Sequence, residues 1–208
     1  MKLSAFLAVD VQNGFITEKQ ELPVPGAAEV IPIINKMLPR FAVTIASQDW
    51  HPADHGSFAS NNPGKRPFAT GMLGSVQQVF WPDHCIQGTR GAAFHPDFDE
   101  RRVRAIFRKG TDPAVDSYSA FADNAGKNPT GLDGYLRGLG VRDLFIAGLA
   151  LDYCVRFTAL DARRLLPDLR VTVVQDACRA VDPRTGEEAK RALRQQGVRL
   201  ITAGEMDL

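Results

Sequence analysis

Six short apolar runs, at residues 6–9, 41–46, 103–107, 144–147, 171–174 and 198–201, recur along this 208-residue chain, with helix-forming segments between many of them. Each run is too short for a core helix, and none alternates apolar with polar as a half-wet strand would. Such runs fit strands buried on both faces. Between the first two, "PGAAEVIPIINKMLPR" places Ala27, Val30, Ile33, Ile34 and Met37 on roughly one helical face, with Pro25 near its start. "CVRFTALDARRLL" and "TGEEAKRALRQQG" behave alike, the second with acids in its first turn and Gly197 as a stop. Buried strands alternating with helices predict an α/β fold, a three-layer sandwich with a mostly parallel sheet of about six strands flanked by helices. Ligands in such folds bind at the carboxyl ends of the strands.

The chain length suits one domain spanning 1–208. Residues 47–96 break the alternation as a long loop insertion rich in Pro, Gly, Asn and aromatics, and all 4 His residues (His51, His55, His84, His95) fall inside it. A structureless segment of that length is functional or hides an element. Formal charge is 25 − 24 = +1, with no basic stripe, so nucleic acid and anionic membrane are poor partners and a small molecule is the better expectation. The 3 cysteines, Cys85, Cys154 and Cys178, include no C-x-x-C pair and suit a reducing cytoplasm. The start "MKLSAFLAVDVQNGF" reads as a first buried strand rather than a leader. Oligomeric state is open between monomer and homodimer.

Polar residues at the strand ends suggest chemistry. "ASQDWHPADHGSF" sets Asp49 and His51 just after the second run, and residues two apart in extended chain share a side. His84 in "FWPDHCIQGT" can add a second imidazole. Two His and one Asp leave coordination positions open, the pattern of a catalytic divalent metal such as Zn, Fe or Mn. Asp10, Lys109 and Cys154 each close a buried run. Neighbouring parallel strands lie about 5 Å apart, so a carboxylate, an ammonium and a thiol can meet there. The carboxylate can take the thiol proton while the ammonium lowers the thiol pKa. Each residue alone is as readily a wet strand end or, for Cys154, a small buried thiol.

With "AVDVQNGF", "SQDWHPADHGSFAS", "FWPDHCIQGTRGAAFHPDF", "RKGTDPAVDSYSAF" and "GLALDYCVRFTALDA" in this order, the chain resembles the nicotinamidase branch of the isochorismatase-like cysteine hydrolase superfamily over almost its whole length. The resemblance implies a metal-dependent amidase that converts nicotinamide to nicotinate and ammonia through a Cys thioester, serves NAD salvage and also acts on pyrazinamide. It makes Asp10 the general base, Lys109 the cation that sets the thiol pKa and Cys154 the nucleophile. Asp49, His51 and His84 become ligands of one divalent ion, with Zn the first expectation. His55 and Ser57 are candidates for a further metal position. The resemblance also implies a cis peptide near Leu149–Ala150, with the amides of Ala150 and Cys154 as oxyanion donors. Phe15, Trp81, Tyr118 and Tyr153 are candidate walls for the substrate ring. Leu151 stands where members often carry Thr. His95 reads as a loop anchor, Cys85 and Cys178 as structural. Two other readings stand beside this one: a hydrolase of another small amide (a carbamoyl or ureido compound), and a binding domain with a structural metal and an inert thiol.

Overall fold

A computed structural model describes residues 3–17 and 21–206. The chain runs through β1 (Leu3–Val9), the short α1 (Asn13–Ile16), α2 (Val30–Met37), β2 (Val43–Asp49), β3 (Thr70–Leu73), β4 (Val76–Val79), β5 (Ala105–Lys109) and α3 (Leu132–Gly138). It continues through β6 (Val141–Leu149), α4 (Arg156–Leu165), β7 (Arg170–Arg179), α5 (Pro183–Gln195) and β8 (Arg199–Ile201). Six strands pair in parallel in the order β5-β2-β1-β6-β7-β8. The expected architecture is present, and its central strands are dry. Phe6, Leu7, Ile45, Ile146 and Val173 are fully buried in one continuous apolar core.

The chain moves from β1 outward to β2 and β5, then returns to β1's other side as β6. A crevice therefore opens between the carboxyl ends of β1 and β6, where the winding reverses.

Several elements depart from the sequence reading. The segment 47–96 contains an antiparallel hairpin of β3 and β4, whose pairing runs from Thr70↔Val79 to Leu73↔Val76. The helix α3, "LDGYLRG", was not anticipated, because its two glycines depress helix propensity; burial of Leu132 and Leu136 holds it on the sheet. Strands β2 and β5 start two residues later than the apolar runs. Cys178 lies inside β7 rather than beyond it.

Gly148 lies inside β6, which runs on to Leu149. It pairs with Val9 at a φ of 126°, and a Cβ there would sit 2.1 Å from the Val9 carbonyl oxygen. Only glycine allows that approach. Gly148→Ala is expected to destabilise the chain by about 3 kcal/mol, from a disfavoured backbone and a clash with backbone that cannot yield. Its unfolding midpoint should fall by about 6–12 °C. A midpoint within a degree or two of the parent would show that β1 and β6 have slack at this point.

Candidate active site

Four neighbouring strand ends deliver the site. Lys109 ends β5, Asp49 ends β2, Asp10 follows β1, and Cys154 lies in the turn after β6. Asp49 and Lys109 are direct register partners. Lys109 and Asp10 are not on adjacent strands, since β2 lies between them. The length of the lysine side chain closes that gap. Its ammonium lies 3.0 Å from Asp10 Oδ2 and hydrogen-bonds Asp49 Oδ1, the Ser117 carbonyl at 3.0 Å and Cys154 Sγ at 3.4 Å. An ammonium has three protons, so Asp49, Ser117 and Cys154 use them all. Asp10 Oδ2 then touches the cation without an aligned donor.

Cys154 sits in a π-helical turn, Leu151–Val155, just ahead of α4. The peptide bond from Leu149 to Ala150 is cis, as the resemblance implied. The Cys154 thiol lies close to the ends of β1 and β2. Its sulfur and one carboxylate oxygen each from Asp10 and Asp49 lie mutually within 4.8 Å.

Burial dominates the electrostatics, because Asp10 and Lys109 are 0% and 2% exposed. Burial pushes the Asp10 carboxyl above its usual range, and Lys109 only partly offsets this. Burial works against Asp49 as well, yet Lys109 and His51 hold that carboxyl well below its usual range. Lys109 is raised because two carboxylates outweigh the cost of burying it. The Cys154 thiol is held well above its ordinary value by burial; Lys109 lowers it, and Asp10 and Asp49 raise it further. Lys109 thus acts on the thiol in the expected direction, against burial and the two carboxylates. Two carboxylates surround the single ammonium, so the resting group is S–H with a raised carboxyl at hand.

Asp49 turns its second oxygen toward two imidazoles, with Oδ2 3.7 Å from His51 Nε2 and 3.8 Å from His84 Nε2. These separations are too long for hydrogen bonds. They suit donors facing a common ion, and the three residues form a group able to hold one. The fit extends to the outer partners. His51 Nδ1 bonds the Gly110 carbonyl at 2.9 Å and His84 Nδ1 the Pro82 carbonyl at 2.7 Å. Carbonyl acceptors there hold the Nδ1 protons, which turns both Nε2 atoms toward the position of the ion. Burial, with His51 adding, depresses His84 to about 4, so it stays neutral near pH 7. His55 Nδ1 is taken by Ser57 Oγ at 2.7 Å, while its buried Nε2 has no partner. The ring of His55 lies 4.3 Å from that of His51, and His51, His55 and Asp116 form a second close group. Ser57 faces His55 rather than the ion group.

All four expected aromatic residues line one narrow cleft with Asp49, His84, Ala150 and Cys154. Trp81 Nε1 donates to Tyr118 Oη at 3.3 Å, Tyr153 stands edge-on to Trp81 at 4.8 Å, and Phe15 packs against the His84 ring at 5.6 Å. The cleft is narrow and walled by flat rings, which suits a small planar ligand. Sequence reasoning missed Ser47, whose hydroxyl donates to Asp10 Oδ1 at 2.6 Å, and Asp116, buried at the cleft wall. It missed Gln12 too, whose side chain bridges the Asp49 backbone N–H and carbonyl. They lie inside the quoted motifs, but only the fold shows what each one touches. His95 lies elsewhere, accepting from the Asp97 N–H and pairing its own N–H with Val11. Cys85 and Cys178 are buried outside the site, and burial raises both thiols.

Residues 4–205 match the isochorismatase domain as a family. The chain belongs to that family. Within it, the nicotinamidase of Escherichia coli (strain K12) is 42% identical over 209 residues, covering 98% of this chain and 96% of the relative. A solved structure titled as an Acinetobacter baumanii nicotinamidase and pyrazinamidase superposes with a TM-score of 0.94 at 43% identity, covering 99% of this chain and 98% of that one. The pyrazinamidase of Pyrococcus horikoshii, solved in complex with zinc, gives 0.78 at 33% identity, covering 96% and 98%. The matched isochorismatase domain holds every residue of the cluster described above, from Asp10 to Cys154. No helix among the described residues is long and apolar enough to cross a membrane.

Proposed function

We propose that this chain, acting as a single domain, hydrolyses nicotinamide to nicotinate and ammonia through a thioester on Cys154, and accepts pyrazinamide as a close analogue. The observation that carries this reading is the meeting of Asp10, Lys109 and Cys154 beside the Asp49, His51 and His84 group in a flat aromatic cleft. That relatives under the isochorismatase heading are named nicotinamidases and pyrazinamidases supports the choice of substrate.

Cys154 gives its proton to Asp10 as the sulfur attacks the amide carbon. The carbonyl oxygen takes the negative charge, and the backbone N–H groups of Ala150 and Cys154 would receive it. Asp10 passes the proton to the departing amine, which leaves as ammonia. A water then attacks the thioester, Asp10 takes its proton, and the acid departs as sulfur regains a hydrogen. The raised Asp10 carboxyl suits this shuttle, because a base of very low pKa would hold the thiol proton poorly. Lys109 keeps both carboxylates ionised and fixes the thiol in place. Asp49, His51 and His84 would hold a divalent ion, with His55 Nε2 available to a ligand of that ion; the ion supplies a Lewis-acid anchor for a ring nitrogen. Phe15, Trp81, Tyr118 and Tyr153 clasp the ring and exclude water.

The test is ammonia release from nicotinamide, set against a panel of small aliphatic amides and ureido compounds. Nicotinamide should lead the panel by at least about 100-fold in kcat/KM, since only a planar ring fills the cleft. Chelation should lower the rate by more than about tenfold, with recovery on adding Zn, Fe or Mn. A faster aliphatic or ureido substrate would replace the substrate assignment, and a full rate after verified metal removal would strike out metal dependence.

A further inference from the structure

A second cleft, of about 310 Å³, lies outside the first, and Tyr118 and Tyr153 line both. Its wall carries Gln78 on β4, with Arg156 and Phe157 at the start of α4. Gln78 is 6% exposed, yet neither Oε1 nor Nε2 of its side chain has a partner. The Arg156 Nε proton is also buried and unpaired. Two unmet polar groups on one cleft wall are unusual, because native folds pair nearly all such atoms. Their presence in one recess is what a polar ligand would repair.

We propose that this outer cleft is a second binding site, for a planar primary carboxamide held by the side-chain amide of Gln78. The complement is chemical. A primary amide on the ligand donates to Gln78 Oε1 and accepts from Nε2, forming a closed pair of hydrogen bonds. Its carbonyl has a second lone pair for Arg156 Nε. A carboxylate would gain the Arg156 cation but set its negative charge against Gln78 Oε1 and against Asp152 and Glu188, which line the same cleft. Tyr118, Tyr153 and Phe157 supply flat apolar surface for a ring. The outer site therefore selects the amide and disfavours the acid, and it lies next to the narrow cleft where the amide is cleaved. It captures substrate before entry and does not retain product. This inference rests on the amidase reading for its consequence in turnover, and on geometry alone for binding.

Titration calorimetry of nicotinamide into Cys154→Ala should show two binding events, and into Cys154→Ala with Gln78→Leu only one. In the otherwise native chain, Gln78→Leu should raise KM about tenfold at unchanged kcat, the value of two neutral hydrogen bonds. It should also raise the unfolding midpoint, since an unpaired buried amide has been replaced by an apolar group of similar size. Gln78→Glu, which keeps the shape and removes the donor, should weaken the same event if the leucine variant misfolds. One event in both titrations, or an unchanged KM with a raised midpoint, would make Gln78 a purely structural residue and overturn the proposal. Nicotinate binding the outer site as tightly as nicotinamide would overturn its preference for amides. If the native chain releases no ammonia from nicotinamide, the amidase reading fails, while the titration still decides the outer site.

Discussion

Cys154→Ala should lower nicotinamide hydrolysis by at least about 10⁴-fold, because no other group can form the covalent intermediate. The fold should survive. Cys154 is a small residue at the cleft wall, and losing its sulfur removes one weak contact to Lys109 at 3.4 Å. The unfolding midpoint should therefore stay within a few degrees of the parent, and metal content should be unchanged. Ammonia release and metal content measured on the same sample separate chemistry from folding. Retention of more than about 1% of the parent rate would sink the thioester mechanism and point to a metal-activated water in its place. Asp49, His51 and His84 would then become the primary catalytic group.

Lys109→Met is the second large effect, and it acts on stability and activity together. The ammonium is the shared counter-ion of Asp10 and Asp49, buried at 0% and 4% exposure. Removing it leaves two carboxylates with no buried cation between them, a change that destabilises by about 3–5 kcal/mol. The unfolding midpoint should drop by roughly 6–20 °C in a chain of this size. Activity should fall with it, since Asp10 then favours its protonated form and cannot accept the thiol proton. Adding Asp10→Asn to Lys109→Met removes one of the stranded charges. It should restore part of the stability and none of the activity, a coupling that a double-mutant cycle reads directly. A single Lys109→Met variant within about 1 kcal/mol of the parent would mean that water reaches these carboxylates, and the buried-pair account would fall.

Local pattern determined much of this protein. The apolar runs at 6–9, 144–147 and 171–174 lie inside β1, β6 and β7, because strands covered on both faces must be apolar throughout. Asp10, Lys109 and Cys154 stood out for the same reason, as polar groups where such runs stop. The order of motifs from Asp10 to Cys154 placed the chain in its family, since four of the five are tied to strand ends that share one rim of the sheet.

Tertiary structure decided the rest. Strand order put β2 between Lys109 and Asp10, so the ammonium spans two strands and serves Asp49 on the way. No spacing along the chain encodes that. The direction in which Lys109 acts on the thiol is visible in sequence, whereas desolvation and the second carboxylate, which raise it, are not. Ser47, Gln12 and Asp116 lie within the motifs, yet their contacts are set only by the fold. The β3 and β4 hairpin is too short and too exposed to print a period on its sequence, yet it places Gln78 at the mouth of the site. Periodicity reports which residues are dry; only the packed chain sets which charges share the dry space, and the chemistry depends on that sharing.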